Sequence, residues 1–190
     1  RYEVLRRDLN KDHGDLKSRQ EHILLSYGVT EWLSLDLKAS LGTITHDPYE
    51  GEGDTIKYKT RVWGGGYGFR VLLLERNKVK VVAGFQHISI HPKTVKANGE
   101  KNNAIMDDWQ GSCLISYAFK RFTPYTGVRY GTIDYIHYLN NEGDRHLTPQ
   151  SRRTDIVLGV DIPVNEKVWV NVEGATGGGE AVAASLNFHF

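Results

Sequence analysis

The chain has 190 residues and a formal net charge of +1, with 24 Lys and Arg against 23 Asp and Glu. This length fits a single domain, residues 1–190, and the balanced charge argues against a nucleic-acid-binding surface, which normally carries a basic excess. The single cysteine, Cys113, excludes an internal disulfide and a cysteine-rich metal site. The longest unbroken apolar runs have four residues, far short of the ~20 that a membrane-spanning helix needs.

The N-terminal segment is the weakest strand candidate. The chain opens at Arg1 without a methionine or a visible signal peptide, so we expect a processed or trimmed N-terminus. Residues 2–9 are strand-like, but Arg6, Arg7 and Asp8 interrupt their alternation of apolar and polar residues. This segment leaves the number of strands open between ten and eight.

Apolar residues recur at every second position in residues 22–29 and, most clearly, in residues 33–42. In the second segment one side carries only leucine and alanine, and the other carries polar residues and glycine: Leu33, Leu35, Leu37, Ala39 and Leu41 against Ser34, Asp36, Lys38, Ser40 and Gly42. A helix would scatter the five apolar residues around its axis. The pattern therefore predicts a strand with two different faces.

The next two segments, residues 56–74 and 79–90, are strand-like but less regular. The apolar positions change parity near Val62 and Trp63 and again around Phe85. We interpret the first change as a β-bulge, which the Gly64, Gly65 and Gly66 run would allow. Clean alternation returns in residues 109–119, 155–162 and 181–190, and residues 125–138 and 168–173 are further strands.

Short and long connections take turns along the chain. Short ones cover residues 30–32, 76–77, 120–121 and 163–166, longer polar ones cover residues 11–17, 45–54, 92–107 and 139–151, and a glycine-rich one covers residues 175–179. This alternation is typical of an up-and-down barrel in a membrane. The sequence thus predicts an all-β, antiparallel barrel of ten strands, with eight as the fallback and both termini on the short-turn side.

Alternation alone does not distinguish a soluble barrel, with its apolar face inside, from a membrane barrel, with its apolar face toward lipid. In the five clean strands the apolar face has no charged residue, whereas the other face is mostly Ser, Gly and Ala. A face of small residues with a few charges suits a confined polar interior. We therefore favour lipid outside and expect a lumen charge network of Asp36, Lys38, Arg70, Arg129, Asp155, Asp161 and Glu173.

Aromatic residues support the same orientation, because membrane barrels concentrate them at the two interfaces. One group lies beside short turns or the C-terminus: Tyr27, Trp32, Tyr117, Phe119, Phe122, Tyr125, Trp169, Phe188 and Phe190. A second group lies toward the long loops: Tyr49, Tyr58, Trp109, Tyr130, Tyr135 and Tyr138. By the same assignment Cys113 is a small apolar residue facing lipid.

The chain resembles a small bacterial outer-membrane β-barrel of the porin-like family, through its final strand and through the turns within residues 26–35 and 117–125. The resemblance implies an outer-membrane location with periplasmic termini and contacts with outer-membrane lipid and lipopolysaccharide. It also implies recognition of the last strand by the barrel-assembly machinery, through a terminal phenylalanine and alternate hydrophobic residues. The matching positions are Val182, Ala184, Leu186, Phe188 and Phe190.

Glycine runs and a group of histidines and aspartates are the residues that could indicate a catalytic or binding site. The glycine runs at Gly64 and Gly177 are not phosphate loops, because neither precedes a helix with Lys and Ser or Thr. Histidines and aspartates gather near the long loops: His13, His46, His91, His137 and His146, with Asp47, Asp107, Asp108, Asp134 and Asp144. No zinc-binding spacing joins them, but a protease or lipid hydrolase site at this rim stays open as an alternative.

The sequence predicts a narrow passive pore or a structural, surface-interaction barrel, without enzyme activity, cofactor, metal or nucleic-acid partner. Barrels of about 8 strands are filled by side chains and those of 16 to 18 leave a channel, so ten strands leave an open and a filled lumen both possible. The rim enzyme is one alternative function. A soluble lipocalin-like ligand-binding barrel is another.

Overall fold

The computed structural model describes residues 1–8, 14–47, 55–97, 99–139, 146–147 and 151–189. Strands joined by turns make up the regular structure of this part of the chain. None of its segments is a helix long and apolar enough to cross a membrane. The strands are β1 Tyr2–Asp8, β2 Asp15–Gly28, β3 Leu33–Asp47, β4 Ile56–Arg76, β5 Val79–His91, β6 Val95–Ala97, β7 Glu100–Tyr117, β8 Thr123–Leu139, β9 His146–Leu147, β10 Ser151–Pro163, β11 Val168–Thr176 and β12 Glu180–Phe188.

Ten of these strands form a closed antiparallel barrel. Each pairs with the next along the chain, and the ring closes where β12 pairs with β1, Val4 opposite Val182. The short strands β6 and β9 lie outside this ring, paired with the ends of β7 and β8. The predicted all-β fold and its ten strands are confirmed, and residues 2–8 do form the first strand.

The predicted strands are shorter than the observed ones at the long-loop end. β2 begins at Asp15, β3 continues to Asp47 and β7 begins at Glu100, all within segments predicted as loops. These segments were predicted as loops because they are polar. They are strands nevertheless, since a strand that extends beyond the apolar band carries polar side chains on its outer face. Asp47, Asp15 and their neighbours nevertheless pair in unbroken register.

The alternation of the clean strands has the predicted orientation. In β3 the side chains of Leu35 and Leu37 are exposed on the outer surface, while Asp36 and Ser40 are buried in the interior. The same holds for β10, where Ile156 and Leu158 are exposed and Asp155 is buried. The lower part of the barrel, near the short turns, therefore has an apolar outside and a polar inside.

Toward the long loops the apolar residues change sides. On β2 the outer face carries Ile23, Leu25 and Tyr27 near the short turn but Lys17, Arg19 and Glu21 farther up, where the buried Leu16 faces inward. β3, β4, β5, β7 and β8 change in the same way. Their inward apolar residues there are Ile44, Tyr58, Ile88, Ile90, Ala104, Met106, Ile133 and Tyr135. The upper barrel thus has the pattern of a water-soluble barrel.

This change of side explains the two parity changes seen in the sequence. The β-bulge predicted near Val62 has a counterpart in the structure, although Gly64, Gly65 and Gly66 themselves pair in continuous register with β3. The β3–β4 register shifts just before that run, opposite Gly42 and Ile44, and the β4–β5 register shifts near Leu72 and Leu74. Around Phe85 the β5 register is regular, so apolar residues move inward there without an irregular backbone.

Candidate functional site: the barrel interior

A buried ion cluster in the barrel interior connects residues of β1, β11 and β8, with Arg1 just before β1. The Glu173 carboxylate accepts hydrogen bonds from Arg129 at 2.5 Å and from Arg1 at 2.9 Å. Arg1 also donates to Glu3, 3.1 Å away. Side chains of Arg129 and Glu173 are each only 9% exposed, so each charge depends on the other in place of water.

Tyr125 extends this cluster toward the short turns. Its hydroxyl donates to Glu173 and accepts from Asn171, both at 2.9 Å, and Asn171 also donates to Asp161 at 2.8 Å. The Tyr125 ring lies across Gly159, the residue paired with it on β10. A Cβ at Gly159 would lie 2.2 Å from that ring, so only glycine leaves room for this contact.

A second ion pair joins β3 to β4. Arg70 donates from Nε to one oxygen of Asp36 and from a terminal nitrogen to the other, each at 2.9 Å. Ser26 of β2 donates to the same carboxylate at 2.6 Å. Such two-point pairing fixes both side chains more firmly than a single contact, and it holds Arg70 against the barrel wall.

A chain of amides crosses the interior between β3 and β7. Lys38 donates to Gln86, Gln86 donates to Gln110 at 2.5 Å, and Gln110 donates to Asp108 at 2.5 Å. A positive and a negative group are thus connected through two aligned glutamines. We name these four residues, Lys38, Gln86, Gln110 and Asp108, the amide strap.

The structure brings six of the seven predicted lumen charges into three groups: Arg129, Glu173 and Asp161, then Asp36 and Arg70, then Lys38 in the amide strap. Asp155 lies on β10 directly opposite Arg129 and accepts a hydrogen bond from the Gly178 backbone N–H at 2.8 Å. Asp155 therefore binds the glycine-rich loop between β11 and β12. Spacing on the single strands could not show this, because the loop folds back onto β10.

Above the polar layer the interior is filled by an apolar cluster. Its fully buried members include Tyr58, Leu16, Ile44, Ile90, Ile133 and Tyr135, and His46 packs on Tyr135 with ring centroids 4.9 Å apart. Burial raises the pKa of Tyr58 and Tyr135 above the usual tyrosine value, so both rings stay neutral. This cluster closes the barrel toward the long loops.

The placement of Tyr58 and Tyr135 corrects the predicted aromatic girdle. Both lie toward the long loops as expected, but they point inward because the apolar residues have changed sides there. Trp109 and Tyr130, both members of the predicted group, are exposed on the outer surface near this level, together with Trp63. Tyr49, and the side chains of Tyr138 and Phe190, lie outside the described part.

The rim histidines do not converge where the structure describes them. His46 is buried inside, whereas His91 is exposed and within 2.9 Å of the Ser89 hydroxyl. Asp108 faces inward, while Asp107 lies on the outer surface, 3.5 Å from His87. His13 and Asp144 lie outside the described residues, as do the side chains of His137 and His146. Among the described residues no cluster could hold a metal ion.

Sequence reasoning missed several members of the interior. Arg1, Tyr125, Gln86 and Gln110 all connect the predicted charges, yet none was named as a lumen residue. Gln110 stands on the polar side of a clean strand, which was a usable signal. Gln86 and Tyr125 lie on less regular strands, and Arg1 directly precedes the weakest strand candidate, so the parity of the apolar residues gave no single inward face there.

The C-terminal strand has one apolar row on its outer surface. Val182, Leu186 and Phe188 are exposed there, with Ala184 between them. Cys113 is also exposed on the outer face of β7. These placements put the apolar side of both strands against whatever surrounds the barrel.

Two solved autotransporter structures resemble the whole chain. The translocator domain of the autotransporter NalP from Neisseria meningitidis has a TM-score of 0.51 and 12% identity, covering 97% of this chain and 70% of that chain. The transport unit of the autotransporter AIDA-I from Escherichia coli has a TM-score of 0.53 and 11% identity, covering 100% and 88%.

A mutant porin of Rh. blastica aligns over 100% of this chain and 98% of the porin chain with 10% identity. Its TM-score of 0.20 is too low to indicate a shared fold. No family model and no curated protein matches the chain. At 11–12% identity the two autotransporter structures share the fold alone. The chain is therefore a closed antiparallel β-barrel similar to autotransporter translocator barrels.

Proposed function

We propose that the protein is an integral outer-membrane barrel with a closed interior, which anchors its long loops at a membrane surface. The outer apolar band supports the membrane setting. On β3 it runs from Leu33 to Leu41, nine residues, which matches the ~9–11 residues with which a tilted strand crosses a bilayer. Side chains such as Ile23 and Leu37 are 78% and 61% exposed, which an aqueous surface would disfavour.

The main observation in support of a closed interior is the apolar cluster above the amide strap. Its fully buried rings and aliphatic chains lie across the path of any solute. A cavity beside the strap has a volume of only about 20 Å³. An α-helix with its side chains is about 10–12 Å wide, so a polypeptide would also need the interior to be emptied.

The proposal includes the setting in the bacterial envelope. β12 ends at the short-turn end of the barrel, which we assign to the periplasm. β1, in contrast, begins midway along the wall, where Tyr2 pairs with Glu21 and Ala184, so the N-terminal end does not lie on the short-turn side as predicted. The outer apolar row of β12 is the surface that the barrel-assembly machinery would read. Lipid and lipopolysaccharide would contact the apolar band and the exposed aromatic residues Trp63, Trp109 and Tyr130, which would form an interface girdle.

Single-channel recording in planar bilayers tests the closed interior. We expect the refolded protein to give no discrete conductance steps, because the apolar cluster excludes hydrated ions. A general porin reconstituted in the same bilayer is the positive control. Regular conductance steps from the folded protein would contradict the closed interior and restore the narrow passive pore.

A further inference from the structure

A small cavity lies at the boundary between the two layers of the interior. Its polar lining comes from β1, β2 and β7, through Glu3, Ser18, Gln20, His22 and Asp108, and its apolar lining includes Ile88. Its volume is about 20 Å³, and one water molecule needs at least roughly 10–15 Å³. The cavity therefore accepts a ligand the size of a water molecule.

Two buried acceptors on β2 make this cavity a built site. Gln20 is 3% exposed and His22 is 7% exposed. Neither Gln20 Oε1 nor His22 Nδ1 has a hydrogen-bond partner among the described residues. A buried polar atom without a partner is costly, so this pair favours a bound hydrogen-bond donor.

The other polar atom of each side chain faces a neighbouring group. Gln20 Nε2 donates to the Ser18 hydroxyl at 3.1 Å and to the Thr43 carbonyl at 3.5 Å. A carbonyl oxygen only accepts, so exchanging the amide oxygen and nitrogen of Gln20 would break the bond to Thr43. His22 Nε2 lies 3.8 Å from a Glu3 oxygen, which is longer than a hydrogen bond. The nearby carboxylate favours the ring proton on Nε2, which leaves Nδ1 as an acceptor. The ligand must therefore donate to two neutral acceptors.

We propose that this cavity binds a structural water molecule that donates to Gln20 and His22. A metal ion fits less well, since no group of three or more metal-binding side chains gathers in the described part of the chain. The water would lie between Glu3, which belongs to the Arg1 and Glu173 cluster, and Asp108, which ends the amide strap. Both of its protons are used for Gln20 and His22, so it would lie in the polar layer beneath the apolar cluster without donating to either carboxylate.

A high-resolution crystal structure of the protein tests the site directly. We expect a density peak within hydrogen-bond distance of both Gln20 Oε1 and His22 Nδ1, and its loss in Gln20→Met, which keeps the chain length but removes the acceptor. An unfilled cavity in the parent protein would overturn the proposal. So would a peak that shifts or strengthens when sodium is replaced by rubidium, because that peak would be an ion.

A double-mutant cycle gives a second readout that does not require crystals of the variant. Ile88→Phe fills the cavity and should lower the thermal unfolding midpoint by several degrees, because it expels the water. The same substitution in a Gln20→Met background should lower it much less. Equal losses in both backgrounds would show simple overpacking and contradict the bound water.

Discussion

At the residue scale, the interior depends on charges that are satisfied by one another. Glu173 is central, because it accepts from two arginines and from Tyr125. Removing one member of a buried ion pair leaves the other charge buried without compensation, which costs far more than losing an exposed pair.

We therefore expect Glu173→Gln to lower the free energy of unfolding by about 3–5 kcal/mol. The matched control is Glu75→Gln, whose carboxylate pairs with Lys80 at 2.9 Å near the short turn with both side chains about half exposed. Its loss should cost at most about 1 kcal/mol. Urea titration in lipid vesicles measures both. Equal costs for the two variants would show that the Glu173 cluster adds nothing.

Sequence reasoning could identify the inward charges but not their partners. The parity of Asp36 and Asp161 on clean strands is enough to place them inside, because alternation fixes the side of a strand. Which charges meet depends on the register between strands, and no single-strand pattern contains that. Glu173 meets Arg129 across 44 residues of sequence, a contact that only the folded ring creates.

At the element scale, each long strand passes through two environments. β3 carries Leu37 on the outer surface of the lower barrel and Thr45 on the outer surface of the upper barrel, with Ile44 buried beside it. In the proposed membrane orientation Leu37 faces lipid and Thr45 faces water, although both face outward on the same strand.

Arginine substitutions test this assignment. Leu37→Arg should destabilise the barrel by about 2–4 kcal/mol if the residue lies near the bilayer midplane, whereas Thr45→Arg should cost at most about 1 kcal/mol. Unfolding in vesicles compares the two with the parent protein. A neutral Leu37→Arg would mean that the lower barrel does not face lipid.

The sequence shows where the apolar residues move from the outer to the inner face of a strand, but the same pattern could come from a backbone irregularity. Ile88 and Ile90 face inward while Phe85, on the same regular strand, lies on the outward row. A parity change of apolar residues has the same appearance whether the backbone bulges or the surroundings change from lipid to water. Strand pairing distinguishes the two, and it is a property of the fold.

At the scale of the whole molecule, the barrel combines a lower part with a polar interior and an upper part with an apolar one. The boundary between them contains the amide strap and the cavity beside Gln20. A filled interior suits a barrel that holds its loops in place, because the packed side chains stiffen the wall at the end from which the long loops emerge.

The membrane setting of the barrel is tested most directly by refolding from urea with and without lipid vesicles, followed by gel electrophoresis of unheated and boiled samples in SDS. We predict a faster-migrating unheated band that forms only with lipid and disappears on boiling, because the apolar outer band needs a bilayer. Folding in plain buffer without a gel shift would contradict the membrane setting, and the apolar band would then belong to a soluble barrel.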